Sequence, residues 1–183
     1  MTKPTISFAL DCAEIGDTPV SHRLALDATG CAALAGRFDL RRVIGLSADC
    51  RLERCTHRDR GGAAYWLECH LRAEVEQECV VTLEPIKEAL NHQFRVMFVP
   101  NKRIDAGRKP VEEAIVSVED ADREPYCGNI LNIGEVIAQH FGLALNFYPR
   151  HAEAEAVMAA FAREAAEHHP GPFGLLLAGK DKA

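Results

Sequence analysis

Residues 67–83 read Leu67-Glu68-Cys69-His70-Leu71-Arg72-Ala73-Glu74-Val75-Glu76-Gln77-Glu78-Cys79-Val80-Val81-Thr82-Leu83. Apolar side chains fall on nearly every odd position, and from 68 to 78 charged or polar ones fill the even positions. A period of two places successive side chains on opposite faces of a strand, so this stretch predicts one long strand with one face buried and the other in water. The spacing predicts a strand over about 64–84, or two strands meeting at a bulge near Gln77. One-sided burial of this kind belongs to antiparallel sheets.

Working outward, Ile44, Leu46, Ala48, Cys50 and Leu52 alternate in the same way. The polar, glycine-containing His57-Arg58-Asp59-Arg60-Gly61-Gly62 then predicts a hairpin loop. Beyond Glu84-Pro85 the alternation resumes at Phe94, Val96 and Phe98 as a strand folded back on the second. Shorter runs at Ile6, Phe8, Leu10 and at Val20, His22, Leu24, Leu26 predict two further strands. Cys31, Leu34, Ala35 and Phe38 follow helical spacing, predicting a helix near 29–37. Asn132-x-x-Glu135 caps a second helix over about 132–142, and alanine- and glutamate-rich residues 152–167 suggest a third. Pro100, Gly107, Pro110, Pro125 and Gly128 make about 100–128 an irregular insertion with at most one short strand. The expected fold class is therefore α+β: a curved or barrel-like antiparallel sheet with flanking helices.

A length of 183 residues with 48% hydrophobic content suits one globular domain over 1–183, with a C-terminal helix and tail at 152–183. The longest apolar runs are a few residues, which predicts no membrane span. Seven cysteines at 12, 31, 50, 55, 69, 79 and 127, with no secretion signal ahead of them, argue against a disulfide framework and for a cytoplasmic protein. A net charge of −6 excludes a general nucleic-acid coat. Between Arg41 and Arg60, however, six arginines face three acids. Arg51, Arg54, Arg58 and Arg60 flank the predicted hairpin and are the candidate RNA-binding residues, since guanidinium groups grip phosphate in pairs of hydrogen bonds and stack on bases.

Cys50-x4-Cys55-x-His57 with Cys69-His70 could be gathered around zinc, but the spacing is not a knuckle. Cys50, Cys69 and Cys79 each fall on an apolar phase, so the expectation is core packing, with no metal and no cofactor. No nucleophile, base and orienting carboxylate stand in a recognisable arrangement, and Gly61-Gly62 lacks the lysine and spacing of a phosphate loop. Neither catalytic residues nor a small-molecule substrate are predicted. The glutamates at 68, 74, 76 and 78 share a polar strand phase and read as a solvated face.

Several segments in order resemble one family. Gln77-Glu78-Cys79-Val80-Val81-Thr82-Leu83-Glu84-Pro85-Ile86 resembles the central signature of the YceD-like large ribosomal RNA accumulation family. Asn132-Ile133-Gly134-Glu135-Val136-Ile137, running on to Tyr148-Pro149-Arg150, is similar to its second signature. Gly171-Pro172-Phe173-Gly174-Leu175-Leu176 resembles its closing segment, and Pro172-Phe173 is expected to dock the tail. The chain departs from the family at Thr82, where many relatives carry a second cysteine, at Asn132 in place of aspartate, and at Asn146-Phe147 in place of Asp-Pro.

The matching positions are Cys79, Glu84, Pro85, Gly134, Glu135, Pro172 and Phe173. The resemblance implies a non-catalytic ribosome-assembly factor needed for accumulation of the large (23S) ribosomal RNA, with a large-subunit rRNA precursor or a ribosomal protein as partner. The alternative is a metal- or thiol-dependent RNA-processing enzyme.

Overall fold

The computed structural model describes residues 6–55, 63–100 and 123–168. In chain order these form β1 (Leu10–Asp11), a single 3-10 turn (Cys12–Glu14), β2 (Val20–Ala25), α1 (Ala28–Arg37), β3 (Arg42–Cys55), β4 (Ala64–Glu78), β5 (Pro85–Pro100), β6 (Arg123–Tyr126), β7 (Ile130–Leu131), α2 (Ile133–Ala144) and α3 (Ala154–His168). The fold class is α+β, as the periodicities predict. Five strands form one sheet in the order β2-β3-β4-β5-β6, and β1 pairs with β7 in a small second sheet.

The large sheet is open, with β2 and β6 at its edges, so it is not a barrel. Strands β2, β3 and β4 are antiparallel neighbours. The contacts Glu68–Arg95 and His70–Asn91 descend β5 as they ascend β4, the antiparallel sense again. Only the short β6, emerging from the predicted irregular segment, runs parallel to β5, pairing Met97–Pro100 with Arg123–Tyr126.

The alternation in β4 is obeyed through Gln77: the odd positions are buried and Glu68, Arg72, Glu74 and Glu78 are exposed. The strand then stops at Glu78, short of the predicted 84. Cys79 to Glu84 form a turn, in which Leu83 adopts φ +60° and its N–H bonds the Cys79 carbonyl at 2.9 Å. A bulge does occur, in β3. Val43 pairs with Val75 and Gly45 with Glu74, so Ile44 is the extra residue and Val43, not Ile44, joins the core. The predicted N-terminal strand through Ile6 and Phe8 is reduced to β1; Ile6 is buried without being in a ladder.

The chain divides into two compact units, one made of the residues up to Glu76 with Lys87–Leu145, the other of Gln77–Ile86 with the chain from Asn146 onward. In the first, α1 packs on β3, and Cys31, Leu34, Val136, Ile137 and Phe141 join the odd-numbered residues of β4 in one core. Phe38 meets Phe141 edge to face at 5.4 Å. Asp27 caps α1 through Gly30 N–H, and Asp39 at φ +52° ends it. His140 on α2 lies flat on Phe94 of β5 at 3.7 Å between ring centres. Among the described residues, no helix is long and apolar enough to cross a membrane.

Candidate functional site

The water-facing side of the large sheet carries the chemistry. Register places Ser21 of β2 opposite Arg51 of β3, and Arg51 opposite Glu68 of β4, so these three form a row across the strands. Trp66 stands beside Glu68 on the same face. From β5, Arg95 reaches across both: its Nε is 3.4 Å from Glu68 Oε1 and its guanidinium lies 4.0 Å from the centre of the Trp66 ring. A shallow groove of about 510 Å³ runs here, lined by Asp49, Arg51, Glu68, His70, Gln93 and Arg95. His70 Nε2 meets Asn91 Oδ1, and Arg72 bonds His70 Nδ1 at 3.0 Å and Asp49 at 3.3 Å. Arg23 also reaches Asp49, at 3.5 Å.

Cations and carboxylates therefore alternate across this face. Arg51 differs from its neighbours, because it is exposed and pairs with no carboxylate among the described residues. The Arg95–Trp66 stack fixes a guanidinium plane that is still about half exposed. A fixed, half-open guanidinium is a surface on which a nucleobase can lie, and a free arginine about one row away can take a phosphate.

The structure does not bring all the predicted arginines together. Arg51 and Arg54 are three apart on a regularly paired strand, so they project from opposite faces, and Arg54 lies 3.9 Å from Asp17. Arg58 and Arg60 fall outside the described residues. Arg95 and Trp66 were not singled out by sequence reasoning. The signal that could have found them was Trp66 itself, the single tryptophan, placed on the water-facing phase of a strand where glutamate and arginine otherwise stand.

The second feature is the turn that joins β4 to β5, in the second unit. Cys79 is buried, and its Sγ accepts hydrogen bonds from the backbone N–H groups of Val81 at 3.5 Å, Thr82 at 3.4 Å and His151 at 3.3 Å. Burial pushes this thiol up. The bonds from His151 N–H, the Thr82 hydroxyl and N–H, and Val81 N–H outweigh that effect and lower its pKa to about 6. The Cys79 N–H donates to the Glu84 carbonyl at 2.8 Å and Val80 N–H to the Pro149 carbonyl at 3.0 Å, so the turn is tied across and to the segment before α3. Pro85 begins β5. Thr82 thus supplies a hydroxyl and an N–H to the sulfur of Cys79. Among the described residues no three His, Cys, Asp or Glu side chains cluster closely enough to hold a metal ion.

A family model described as large ribosomal RNA subunit accumulation protein YceD matches residues 67–169, more than half of the chain. The chain belongs to the YceD family. No curated protein and no solved structure matches it. The matched span begins inside β4 and takes in β5, the Cys79 turn, α2 and α3, whereas β3 with Arg51 precedes it.

Within that span residues at the start of α2 tie the helix to its neighbours. Gly134 sits where the N-terminal segment crosses the helix start, and its N–H donates to the Phe8 carbonyl at 2.7 Å. A β-carbon there would strike the Ile6 carbonyl oxygen. Asn132 caps α2 by accepting from Glu135 N–H at 3.4 Å. The Glu135 side chain does not simply complete a local cap. It takes both terminal nitrogens of Arg37, at 2.9 and 2.6 Å, so joining α2 to α1, and this pairing holds its carboxyl below the usual range. Pro172 and Phe173 lie outside the described residues. The family description names an accumulation factor for large-subunit ribosomal RNA, not an enzyme, and that coarse role is the chain's.

Proposed function

We propose that this YceD-family chain is a non-catalytic, cytoplasmic factor that binds the precursor of large-subunit ribosomal RNA through the water-facing side of its sheet. The observation that carries this reading is the guanidinium of Arg95 held 4.0 Å above Trp66, with exposed Arg51, which meets no carboxylate among the described residues, on the same face. Single-stranded RNA is recognised by stacking unpaired bases on aromatic rings or guanidinium planes while cations take the phosphates. The alternating acids at Asp49 and Glu68 favour contact with a few nucleotides over a long electrostatic track, in keeping with the net charge of −6.

A basic ribosomal protein is the second reading, favoured by that negative net charge. The single tryptophan offers a direct test, because a base stacked on the Arg95–Trp66 pair alters its emission. Titration with single-stranded fragments of precursor large-subunit RNA should change Trp66 fluorescence saturably. R51Q/R95Q should abolish that change and reduce the salt slope of binding to precursor particles by up to about one, for the phosphate that Arg51 no longer neutralises. Unchanged association and slope in R51Q/R95Q would refute the RNA reading. Retained binding to a purified ribosomal protein alone would favour the second.

A further inference from the structure

Two cysteines meet at one point of the buried face of the sheet. Cys50 of β3 and Cys69 of β4 are direct register partners, their sulfurs 3.3 Å apart and both side chains buried. Neither carries any part of the proposed RNA contact, although both belong to the strands that form the groove. We infer that Cys50 and Cys69 are a disulfide-forming pair, a site of reversible oxidation by hydroperoxides that cross-links β3 to β4.

The backbone geometry is already suitable. Directly opposed residues of antiparallel strands have α-carbons about 4.5–5.5 Å apart, inside the range of about 4.4–6.8 Å that disulfides span. Closing the sulfurs from contact to bonding distance takes about 1.3 Å, which two side-chain rotations can share without moving a strand. The surroundings leave the pair to itself. Ala48 and Leu71 flank it on one side, Leu52 and Leu67 on the other, all fully buried and none able to accept a proton or compete for the sulfur.

The two thiols are also unequal. A hydrogen bond from the Cys69 S–H draws the Cys50 thiol below its ordinary value, against burial and the nearby Asp49 carboxylate. The same bond, with burial, pushes Cys69 up. The exchange balances with either sulfur as nucleophile; with Cys50 attacking, Cys69 is the resolving thiol. In the first step the Cys50 thiolate attacks a peroxide oxygen. An S–O bond forms, the O–O bond breaks, and the departing hydroxide takes up a proton to leave as water. In the second step Cys69 Sγ attacks the Cys50 sulfenic acid. The S–S bond forms, the S–O bond breaks, and the hydroxide leaves as water with the proton of Cys69. Two thiols have given up two electrons and two protons, and one hydrogen peroxide has become two waters.

The test uses the full chain without substitution. Folded protein is treated with equimolar hydrogen peroxide, denatured in excess N-ethylmaleimide and digested without reductant. A linked pair of peptides containing Cys50 and Cys69, lighter than their sum by two hydrogens and split by dithiothreitol, is the expected product. C69S and C50S should each give no linked peptide, and the cysteine that remains should be left as a sulfenic acid that dimedone traps. Recovery of Cys50 and Cys69 both fully alkylated from the unsubstituted chain, while any other cysteine has consumed the peroxide, would overturn the inference. So would a linked peptide joining either of them to a different cysteine. Both readouts come from the unsubstituted chain, so a failure of C50S or C69S to fold leaves the test intact.

Discussion

Replacing Gly134 by alanine tests whether the glycine at the start of α2 is required by the fold. The added carbon would meet the Ile6 carbonyl oxygen and lie 2.9 Å from both the Ile6 carbonyl carbon and the Phe8 nitrogen. All three are backbone atoms, so no side chain can rotate out of the way. Overpacking of this kind costs about 1–3 kcal/mol. If the segment shifts instead, the bond from Gly134 N–H to the Phe8 carbonyl is broken, about 0.5–1.5 kcal/mol net, and part of the burial of Ile6, worth about 1.5–3 kcal/mol, goes with it. Against this stands the better helix propensity of alanine, up to about 1 kcal/mol.

The net expectation for G134A is a loss of about 1–3 kcal/mol. With a urea slope of about 2 kcal/mol per molar, its unfolding midpoint should fall by about 0.5–1.5 M. Trp66, in the same compact unit as Gly134, reports the transition through its fluorescence. The control is G36A in α1, where a β-carbon meets nothing within 4 Å. That exchange should raise stability by about 0.5–1 kcal/mol. A G134A midpoint at or above that of the parent, with G36A behaving as expected, would refute the close approach at the start of α2.

Two further predictions concern protonation. The Glu135 carboxyl is depressed by Arg37, so the stability it contributes is complete above the ordinary glutamate range and is lost as the pH falls through its lower folded value. E135Q should cost about 1–2 kcal/mol near neutral pH, and its difference from the parent should shrink as the pH falls below the ordinary glutamate range, measured by urea unfolding at several pH values. Cys79 is likewise an acid whose pKa is lowered on folding, from 9.0 to about 6. Its contribution is complete above about pH 9 and declines as the pH falls through about 6, so amide exchange at Val81, Thr82 and His151 should quicken at about pH 5 relative to about pH 8, beyond the intrinsic change. C79A should quicken exchange at those three amides at both pH values; protection unchanged in C79A would show that the sulfur is not their acceptor.

The division between what was legible in the chain and what was not follows from the range of the interactions. Strand β4 could be read because a half-buried strand must alternate, helix α1 because of its apolar stripe, and helix α2 because Asn132 and its stripe act within a turn or two. The same locality explains the overreach to residue 84. Val81 and Leu83 continue the apolar alternation of β4, but the ladder ends at Glu78, and Cys79 finds its partners in the turn and, 72 residues on, at His151. Ile44 was misplaced for a similar reason, since a bulge shifts the phase of one strand relative to its neighbour and leaves no mark in the sequence of either alone.

Resemblance to the YceD family could be read from short motifs, and one of their residues, Gly134, occupies a position whose steric demand only glycine meets. Tertiary structure alone decided which charges share a face. Sequence proximity grouped Arg51 with Arg54, whereas the strand period separates them and the sheet places Arg95, from another strand, over Trp66. It decided the meeting of Cys50 with Cys69 as well, since register between strands depends on the pairing of whole apolar faces and cannot be assigned from either cysteine's own neighbours.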